Sequence, residues 1–416
     1  MTSKLLRIFY RLLFPGGFIL LASAIALNAL ELGKLNDSFS RNYPYVIFGA
    51  GLVLSALFKC SRLFFAILIV GLCDRALALV TPALSSAGIH RTIFDAIALL
   101  LPLNLIALSF MHDRGIVSPR GRRRAAFVAA QIGAVALVAL TQPAQALAAG
   151  FMQGAFVPKN YSEWSHISQP ALLVFMIAGV VMLVYLAERR RPVESALFWA
   201  LVAAFIALNA GGANQITSAY FATGGLILSV AVLETSYTMA YRDELTQLPS
   251  RRALNQELAK IGDNYAIAMI DVDHFKSFND TYGHETGDQV LQMIASRLAD
   301  VSGGGKPFRY GGEEFAVVFP GKSVDDAYPN LESLRMRIEA TPFKVRGNDR
   351  RSDGNRKKKK AKGGARNAKG QVQVTVSIGA SSCDGEKRPP DQVLRDADKA
   401  LYKAKSSGRN CTAVSV

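Results

Sequence analysis

The segment 309–315 reads RYGGEEF, with two glycines followed directly by Glu313 and Glu314. Glycine permits backbone conformations that other residues avoid and lets a ligand approach the main chain. Adjacent carboxylates can bind a hard divalent cation or accept a proton. The apolar run FAVVF (315–319) is typical of a strand that leaves a turn. The segment therefore predicts metal-dependent phosphate chemistry at a strand turn, and the alternative interpretation is an acidic hairpin with a purely structural role.

Four other blocks accompany this turn in a fixed order. They read DELTQLPSRR (243–252), DVDHFKSFNDTYGHETGD (271–288), VTVSIGA (374–380) and ADKALYKAKSSGRN (397–410). Together with RYGGEEF they resemble the GGDEF-domain diguanylate cyclases, in the variant with glutamate at the third signature position. The resemblance extends from Asp243 to the C-terminus and carries no information about the first 235 residues.

The second half of the chain, 237–416, alternates helix and strand patterns, which predicts an α/β domain with a mixed, mainly antiparallel central sheet. Such a fold resembles the palm of nucleotidyl polymerases and cyclases. The predicted elements are a helix near 250–261, a strand at 265–271, helices at 274–282 and 286–300, strands on both sides of the GGEE turn, a helix at 323–340, a strand at 372–380, a helix at 390–406 and a short last strand.

Three carboxylates are expected to meet in this sheet. The predicted strand 265–271 ends in Asp271, and the GGEE turn joins two other strands, so pairing of these strands would bring Asp271 close to both glutamates. The resemblance assigns two Mg²⁺ ions, with Mn²⁺ as an alternative, to Asp271, the main-chain carbonyl of Val272, Glu313 and Glu314. It also makes Glu313 the catalytic base, although the sequence does not separate base from metal ligand. For Asp273 we expect a buried structural role.

GTP is the nucleotide that the resemblance implies. Guanine offers N1–H and N2–H₂ as paired donors that a carboxylate accepts, and Asp288 and Asn279 occupy the family positions for reading this base. An isolated Asn or Asp in such a place is otherwise a turn former or a helix cap. The remaining substrate residues implied by position are Lys276, His284, Gly311, Gly312, Lys405 and Arg409.

The implied reaction condenses two GTP molecules into cyclic di-GMP and two pyrophosphates. The product is two-fold symmetric and each domain presents one GTP, so catalysis is expected to require a homodimer. The alternative from a different class is a catalytically inactive GGDEF receptor or signal-transmitting module. A third interpretation, in which the membrane half is chiefly a transporter, also stays open at this point.

Two features depart from the family pattern. Residues 302–305 read SGGG where many members have the RxxD product-binding site, so both of its charges are missing. In addition, a basic insertion, 345–370, precedes the VTVSIGA strand, and the run from Lys344 to Lys369 has twelve basic and two acidic residues. Its composition predicts disorder. The loop is interpreted as solvated or as bound to anionic lipid, whereas nucleic acid is not expected because no aromatic residues are interleaved.

The first half of the chain, 1–236, is a succession of apolar segments that predicts an all-α, multi-pass membrane domain with a sensory role. This half raises the hydrophobic content of the whole chain to 50%. We predict eight spans, at 12–31, 44–58, 62–84, 93–111, 125–148, 170–187, 194–212 and 215–235.

The basic residues outside these spans, together with Arg62 at the first position of the span 62–84, predict the orientation. With both ends inside, thirteen basic residues lie on the inner side and four on the outer side, as the positive-inside rule requires. The protein is therefore expected in a bacterial inner membrane, with the C-terminal domain in the cytoplasm. Ala22 and Ala24 resemble a signal peptidase site, but cleavage would leave seven spans and put the catalytic domain outside, so an uncleaved anchor is favoured.

Three charged residues lie inside predicted spans: Asp74, Arg75 and Asp95. Charges at this depth are costly and usually paired or functional, and either aspartate could pair with Arg75. They could instead lie near an interface. The four cysteines show no metal-ligand spacing. Only about seven residues, 236–242, separate the last span from the DELT block, so the last membrane helix is expected to run directly into the C-terminal domain.

Overall fold

The computed structural model describes residues 13–29, 37–80, 87–154, 156, 158, 164–189, 191–211, 215–344, 371–384 and 388–415. It divides into two compact units, Met1–Ser236 and Tyr237–Val416. The predicted basic insertion 345–370 lies outside the described residues.

The N-terminal unit is helical throughout. Its helices are α1 (Gly16–Ala29), α2 (Asp37–Leu57), α3 (Ser61–Leu79), α4 (Ala87–Phe110), α5 (Pro119–Leu140), α6 (Gln142–Met152), α7 (Gln169–Arg189), α8 (Pro192–Asn209) and α9 (Gln215–Tyr241). Within the described part of the chain, five of these, α4, α5, α7, α8 and α9, are long and apolar enough to cross a membrane. The predicted several-helix architecture is confirmed.

The bounds of several predicted spans differ from those of the observed helices, and two of these differences affect the architecture. The segment 125–148 is broken at Thr141, where α5 ends and a separate helix, α6, begins with Pro143 in its first turn. A proline is tolerated there because the first N–H groups of a helix have no internal partner. The last span, predicted to end at 235, continues to Tyr241. This continuation agrees with the expectation that the last membrane helix reaches the DELT block.

Buried charges of the N-terminal unit are paired. Arg75 binds the neighbouring Asp74, whose carboxylate also accepts a hydrogen bond from Ser218 of α9. Asp95 instead pairs with Arg91, one helical turn earlier, at 2.9 Å. Of the two pairings that the sequence left open for Arg75, the structure therefore has the one with Asp74.

The C-terminal unit is a three-layer α/β domain, which confirms the predicted fold class. Its elements are α10 (Arg251–Leu258), β1 (Asn264–Val272), α11 (Phe275–Tyr282), α12 (His284–Ala299), β2 (Lys306–Arg309), β3 (Glu314–Pro320), α13 (Val324–Glu339), β4 (Phe343–Lys344), β5 (Gln371–Val372), β6 (Val376–Asp384), α14 (Pro390–Ser406) and β7 (Thr412–Ser415). The five-stranded sheet has the order β2-β3-β1-β6-β7, and only β6 and β7 pair in parallel.

The central strand β1 is buried on both faces because its side chains alternate between two cores. Ala266, Ala268 and Ile270 pack with the apolar sides of α12 and α13. Ile267 and Met269 pack with α10 and α14 on the other face. The predicted single strand at 372–380 is wrong in one respect, because β5 pairs with β4 in a separate two-stranded sheet and β6 begins only at Val376.

Candidate active site of the C-terminal unit

The signature turn lies at the end of the central strand. Strands β1 and β3 are antiparallel, and their register places Asp271 directly opposite Glu314. The turn between β2 and β3 is closed by main-chain bonds from the N–H groups of Tyr310 and Gly311 to the carbonyl of Glu314, at 2.9 and 3.1 Å. The hairpin between two strands is therefore present where the sequence predicted it, and it holds Glu313 and Glu314 beside the C-terminal end of β1. We call Asp271, Glu313 and Glu314 the acidic edge.

Lys405 of α14 contacts this acidic edge. Its Nζ lies 2.9 Å from Oδ2 of Asp271, and the Asp271 side chain is 8% exposed. Burial raises the pKa of Asp271, although the Lys405 ammonium opposes the shift. The structure thus brings together a residue predicted to bind metal and one predicted to bind the substrate.

Glu313 is the third carboxylate of the acidic edge. Its carbonyl accepts a hydrogen bond from the N–H of Val272 at 3.4 Å, so it lies beside the end of β1. Burial raises the pKa of the Glu313 carboxyl, and the negative charges of Asp271 and Glu314 raise it further. A cation bound beside Glu313 would relieve the repulsion that its carboxylate experiences from Asp271 and Glu314.

These residues fit a divalent metal ion by their chemistry. Carboxylate and carbonyl oxygens are the ligands that Mg²⁺ and Mn²⁺ prefer, and the contact from the Lys405 ammonium shows that a cation is accommodated at Asp271. Among the described residues, no three acidic, cysteine or histidine side chains form a ready metal cage. The acidic edge therefore does not by itself surround a metal ion with protein side chains.

The Arg309 side chain stabilises the signature turn, a role that the sequence did not predict. Its guanidinium donates to the carbonyls of Gly311 and Gly312 and forms a 2.6 Å ion pair with Asp243. Burial raises the pKa of Asp243, but hydrogen bonds from Thr246 and Arg309 outweigh it and hold the pKa below its ordinary value. Arg309 thereby links the DELT block, which follows α9, to the signature turn. Both blocks are visible in the sequence, but their contact is not.

Asp273 occupies a buried structural position, as its place after β1 suggested. Its carboxylate accepts hydrogen bonds from the hydroxyls of Ser377 and Thr375, at 2.6 and 2.8 Å, and from the N–H of Asn410, at 3.1 Å. Asn410 is also bound by Arg335 of α13 through its side-chain oxygen. Asp273 therefore joins β1, β6 and the loop after α14 that carries Arg409.

Replacement of Asp273 by Asn is expected to destabilise the C-terminal unit by about 2 kcal/mol, because the new NH₂ group replaces one of two acceptor oxygens, either the one that binds Ser377 or the one that binds Thr375 and Asn410. The apparent melting temperature of the full chain should fall by roughly 5 °C. Thermal unfolding followed by protease resistance measures this, and the exposed Asp280→Asn on α11 is the matched control. A variant that melts like the wild type would show that this network contributes little.

Four residues predicted to bind the nucleotide lie on two consecutive helices. Lys276 and Asn279 belong to α11, and His284 and Asp288 to the first turns of α12. Asn279 lies against Gly287, since a Cβ at Gly287 would be 1.8 Å from its Oδ1. That oxygen is buried and has no hydrogen-bond partner among the described residues. An orphaned acceptor beside Asp288 is suited to a ligand that supplies N–H donors.

Arg409 lies beyond the end of α14, which stops at Ser406. Its backbone is left-handed, with φ of 65°, and its N–H donates to the carbonyl of Ala404 at 3.1 Å. Its positive charge acts on Asp271 together with that of Lys405. Both basic residues thus act electrostatically on the same carboxylate, although only Lys405 is helical. Lys276 and His284 are exposed side chains whose roles remain predictions.

This geometry agrees with comparisons to known proteins. The family model "Diguanylate cyclase, GGDEF domain" matches residues 240–357 and 354–411. These residues form a GGDEF domain. The predicted family resemblance is therefore confirmed for this part of the chain, including the variant signature at 311–315.

Named relatives share the domain. "Response regulator PleD" of Caulobacter vibrioides is 37% identical over 186 residues, which are 43% of this chain and 37% of the relative. "Diguanylate cyclase VdcA" of Vibrio cholerae is 33% identical over 202 residues, which are 47% of this chain and 52% of the relative. The chain thus spans about a third to a half of the length of these curated relatives.

Among solved structures, the coiled coil and GGDEF domain of DgcB from Caulobacter crescentus, in complex with c-di-GMP, is 30% identical. It covers 44% of this chain and 90% of that chain, with a TM-score of 0.37.

Proposed function

We propose that this protein is a diguanylate cyclase that condenses two GTP molecules into cyclic di-GMP and two pyrophosphates. The observation that carries the proposal is the acidic edge, where Asp271 faces Glu314 in register and Lys405 lies 2.9 Å from Asp271. A degenerate receptor would be expected to lose these carboxylates first. Here they are all present, whereas the product-binding charges at 302–305 are absent.

In the proposed reaction, the 3′-hydroxyl oxygen of one GTP attacks the α-phosphorus of the other. The new oxygen–phosphorus bond forms as the bond to pyrophosphate breaks, and the same exchange then closes the ring. Glu313, whose pKa is raised by burial and by its acidic neighbours, is suited to accept the hydroxyl proton. Lys405 and Arg409 bind phosphate oxygens and balance the charge of the triphosphate.

Divalent cations, Mg²⁺ or Mn²⁺, would be held by Asp271, the Val272 carbonyl, Glu313 and Glu314. When bound, they neutralise the triphosphate and make the 3′-hydroxyl easier to deprotonate. The protein supplies the oxygen ligands on a rigid strand, and the main-chain bonds of the turn and the Arg309 ion pair keep the two glutamates in place. Gly311 and Gly312 leave room for phosphate at the turn.

Each domain binds one GTP, and a homodimer places the two nucleotides face to face. Asn279 and Asp288 would recognise guanine through its N–H donors. The buried Oδ1 of Asn279 supports this role because it has no hydrogen-bond partner among the described residues and can accept from an N–H group of the base. Adenine lacks the corresponding paired donors. Discrimination of roughly 1–3 kcal/mol per hydrogen-bonding group is expected.

Gly287→Ala is expected to raise the KM for GTP about tenfold while changing kcat much less, since the added methyl must displace Asn279 and costs about one hydrogen bond. Initial rates over a range of GTP concentrations give both constants. Asn279→Ala should have a similar effect, and the double variant should be no worse than either single one. Additive losses would mean that Gly287 acts by another route.

Product inhibition at the usual family site is not expected. Ser302 donates to Asn330 Oδ1 at 2.8 Å, and no basic or acidic side chain stands at 302–305. Activity should therefore fall by less than about twofold at cyclic di-GMP concentrations well below the KM for GTP. A titration that shows strong non-competitive inhibition in this range would prove that another product site exists.

The N-terminal unit supports a location in the bacterial inner membrane, with the GGDEF domain in the cytoplasm. The five long apolar helices found in the described part of the chain and the predicted excess of basic residues on the inner side favour this topology. We infer that the membrane unit regulates the cyclase. The basic insertion, outside the described residues, is proposed to contact anionic lipid.

The experiment that tests the function is incubation of the purified full chain with GTP and Mg²⁺, followed by chromatography and mass spectrometry of the products. We expect cyclic di-GMP and pyrophosphate, and no cyclic dinucleotide from ATP. If GTP or cyclic di-GMP binds but no product forms under any metal condition, the domain is a receptor instead.

A further inference from the structure

The C-terminal unit has a cavity that does not include the residues of the acidic edge. It has a volume of about 530 Å³ and is bounded by the last turns of α9, by α10 and by the start of β2. All its lining residues belong to the unit Tyr237–Val416. None of them is assigned to GTP or metal, so the cavity is independent of the proposed reaction.

The cavity is electrostatically positive. Three basic side chains, Arg242, Lys260 and Lys306, line it together with one acidic side chain, Glu257. Glu257 pairs with Lys306, and Arg242 donates to the carbonyl of Gln247 at 2.9 Å. Within the described ranges, the Lys260 ammonium has no hydrogen-bonding or acidic partner. Two positive charges are left uncompensated, which favours an anionic ligand.

Two tyrosines form the side of the cavity that belongs to α9. The rings of Tyr237 and Tyr241 are stacked, with centroids 4.5 Å apart and planes inclined by 28°. The Tyr237 side is open, since the residue is 61% exposed. Tyrosine is enriched at membrane–water interfaces, where its ring contacts apolar groups and its hydroxyl contacts polar ones.

The length of α9 places these tyrosines at headgroup depth. The helix has 27 residues, from Gln215 to Tyr241. At 1.5 Å per residue, about 20 residues cross a hydrocarbon core of about 30 Å, which brings the span to its end near Glu234. Tyr237 and Tyr241 then lie roughly 4.5 to 10.5 Å beyond the core, where lipid phosphates are found. The basic side chains share one cavity with them.

We propose that this cavity binds the headgroup phosphate of an anionic phospholipid in the inner leaflet. Arg242, Lys260 and Lys306 supply N–H donors to the phosphodiester oxygens, and the tyrosine pair contacts the glycerol region. The site rests on the proposed membrane location of α9 but not on cyclase activity. It would attach the GGDEF domain to the leaflet at the point where the last membrane helix enters it, through residues separate from the basic insertion.

Lysine footprinting of the full chain tests the site. The protein is reconstituted into nanodiscs of phosphatidylcholine, with or without phosphatidylglycerol, and acetylated with N-hydroxysuccinimidyl acetate, and the rate at each lysine is measured by mass spectrometry. Phosphatidylglycerol should slow acetylation of Lys260 and Lys306 at least about threefold, while Lys399 and Lys403, exposed on α14, serve as internal references.

Two variants separate a bound headgroup from a general surface potential. Arg242→Gln should abolish most of the protection, whereas Arg395→Gln, an exposed arginine of α14, should retain it. Equal protection in the Arg242→Gln protein would overturn the proposal, because a surface potential does not need that side chain. Both proteins keep the basic insertion, so its contribution cancels.

Two further arms distinguish lipid from soluble anions. Inorganic phosphate or cyclic di-GMP is added to the phosphatidylcholine nanodiscs, where neither should protect Lys260 or Lys306 by more than a small fraction of the lipid effect. Full protection by either one in neutral lipid would overturn the proposal in favour of a soluble phosphate ligand. Because the readout is chemical modification, the result is independent of whether GTP is converted.

Discussion

Asp271→Asn is expected to reduce cyclic di-GMP synthesis by roughly 100-fold or more, and Glu314→Gln by a similar factor. Each substitution removes a negative charge at almost constant volume, from two residues that face each other across β1 and β3. Asp271→Asn also leaves the half-buried Lys405 ammonium without its charged partner. Both changes weaken cation binding at the point where the triphosphate must be neutralised.

Initial rates at saturating GTP and Mg²⁺ measure this effect, and the exposed Asp300→Asn in the same unit is the matched control. Because the two carboxylates act on the same cations, the double variant should lose little more than either single variant. Near-normal turnover by Asp271→Asn and Glu314→Gln, in protein that elutes and melts like the wild type, would contradict the metal site at the acidic edge.

The acidic edge could be predicted because its parts follow local rules. Strand β1 is recognisable as an apolar run ending in Asp271, and the glycines before Glu313 mark a turn between strands. Antiparallel pairing then leaves few ways to arrange these residues, and the register Asp271 to Glu314 is one of them. The assignment of Lys405 to the same place came only from the family resemblance, since nothing in its local sequence points to Asp271.

Other contacts of the site depend on tertiary structure and had no signal in the sequence. Arg309 and Asp243 are 66 positions apart, and each belongs to a different sequence block without any pattern that pairs them. Asn410 reaches Asp273 because its backbone is left-handed, with φ of 48°, which is not encoded by a neighbouring glycine alone. Such contacts are selected by the whole domain, not by periodicity.

In the N-terminal unit, the sequence identified costly charges but not all of their partners. Arg62 was counted as an inner-side loop charge, yet it is 6% exposed and binds Glu194 at 3.1 Å. It also donates to the main-chain carbonyls of Leu108 and Ser109 at the end of α4. A charge at a span boundary therefore links three helices, α3, α4 and α8, through hydrogen bonds and an ion pair. Hydropathy cannot distinguish such a residue from a solvated one.

Gly379→Ala is expected to destabilise the C-terminal unit by about 3 kcal/mol or more, the largest stability effect of any single methyl group that we predict. An added Cβ would lie 1.9 Å from the backbone nitrogen of Leu401 and 2.3 Å from the carbonyl oxygen of Ala397. Both atoms belong to the backbone of α14, so the helix must move away from β6. That movement would also shift Lys405, one turn further along α14, from Asp271.

The full chain carrying this substitution should lose roughly 10 °C in the melting temperature of the C-terminal unit, and cyclic di-GMP synthesis should fall with it even below that temperature. Gly262→Ala, where no atom lies within 4 Å of the new methyl, is the matched control. Because the contacts are with main-chain atoms, trimming the side chain by Leu401→Ala should not rescue the variant. Rescue by that second substitution, or unchanged melting of Gly379→Ala, would show that α14 can separate from the sheet at little cost in free energy. In that case the close packing of helix and strand would not be what holds Lys405 at the acidic edge.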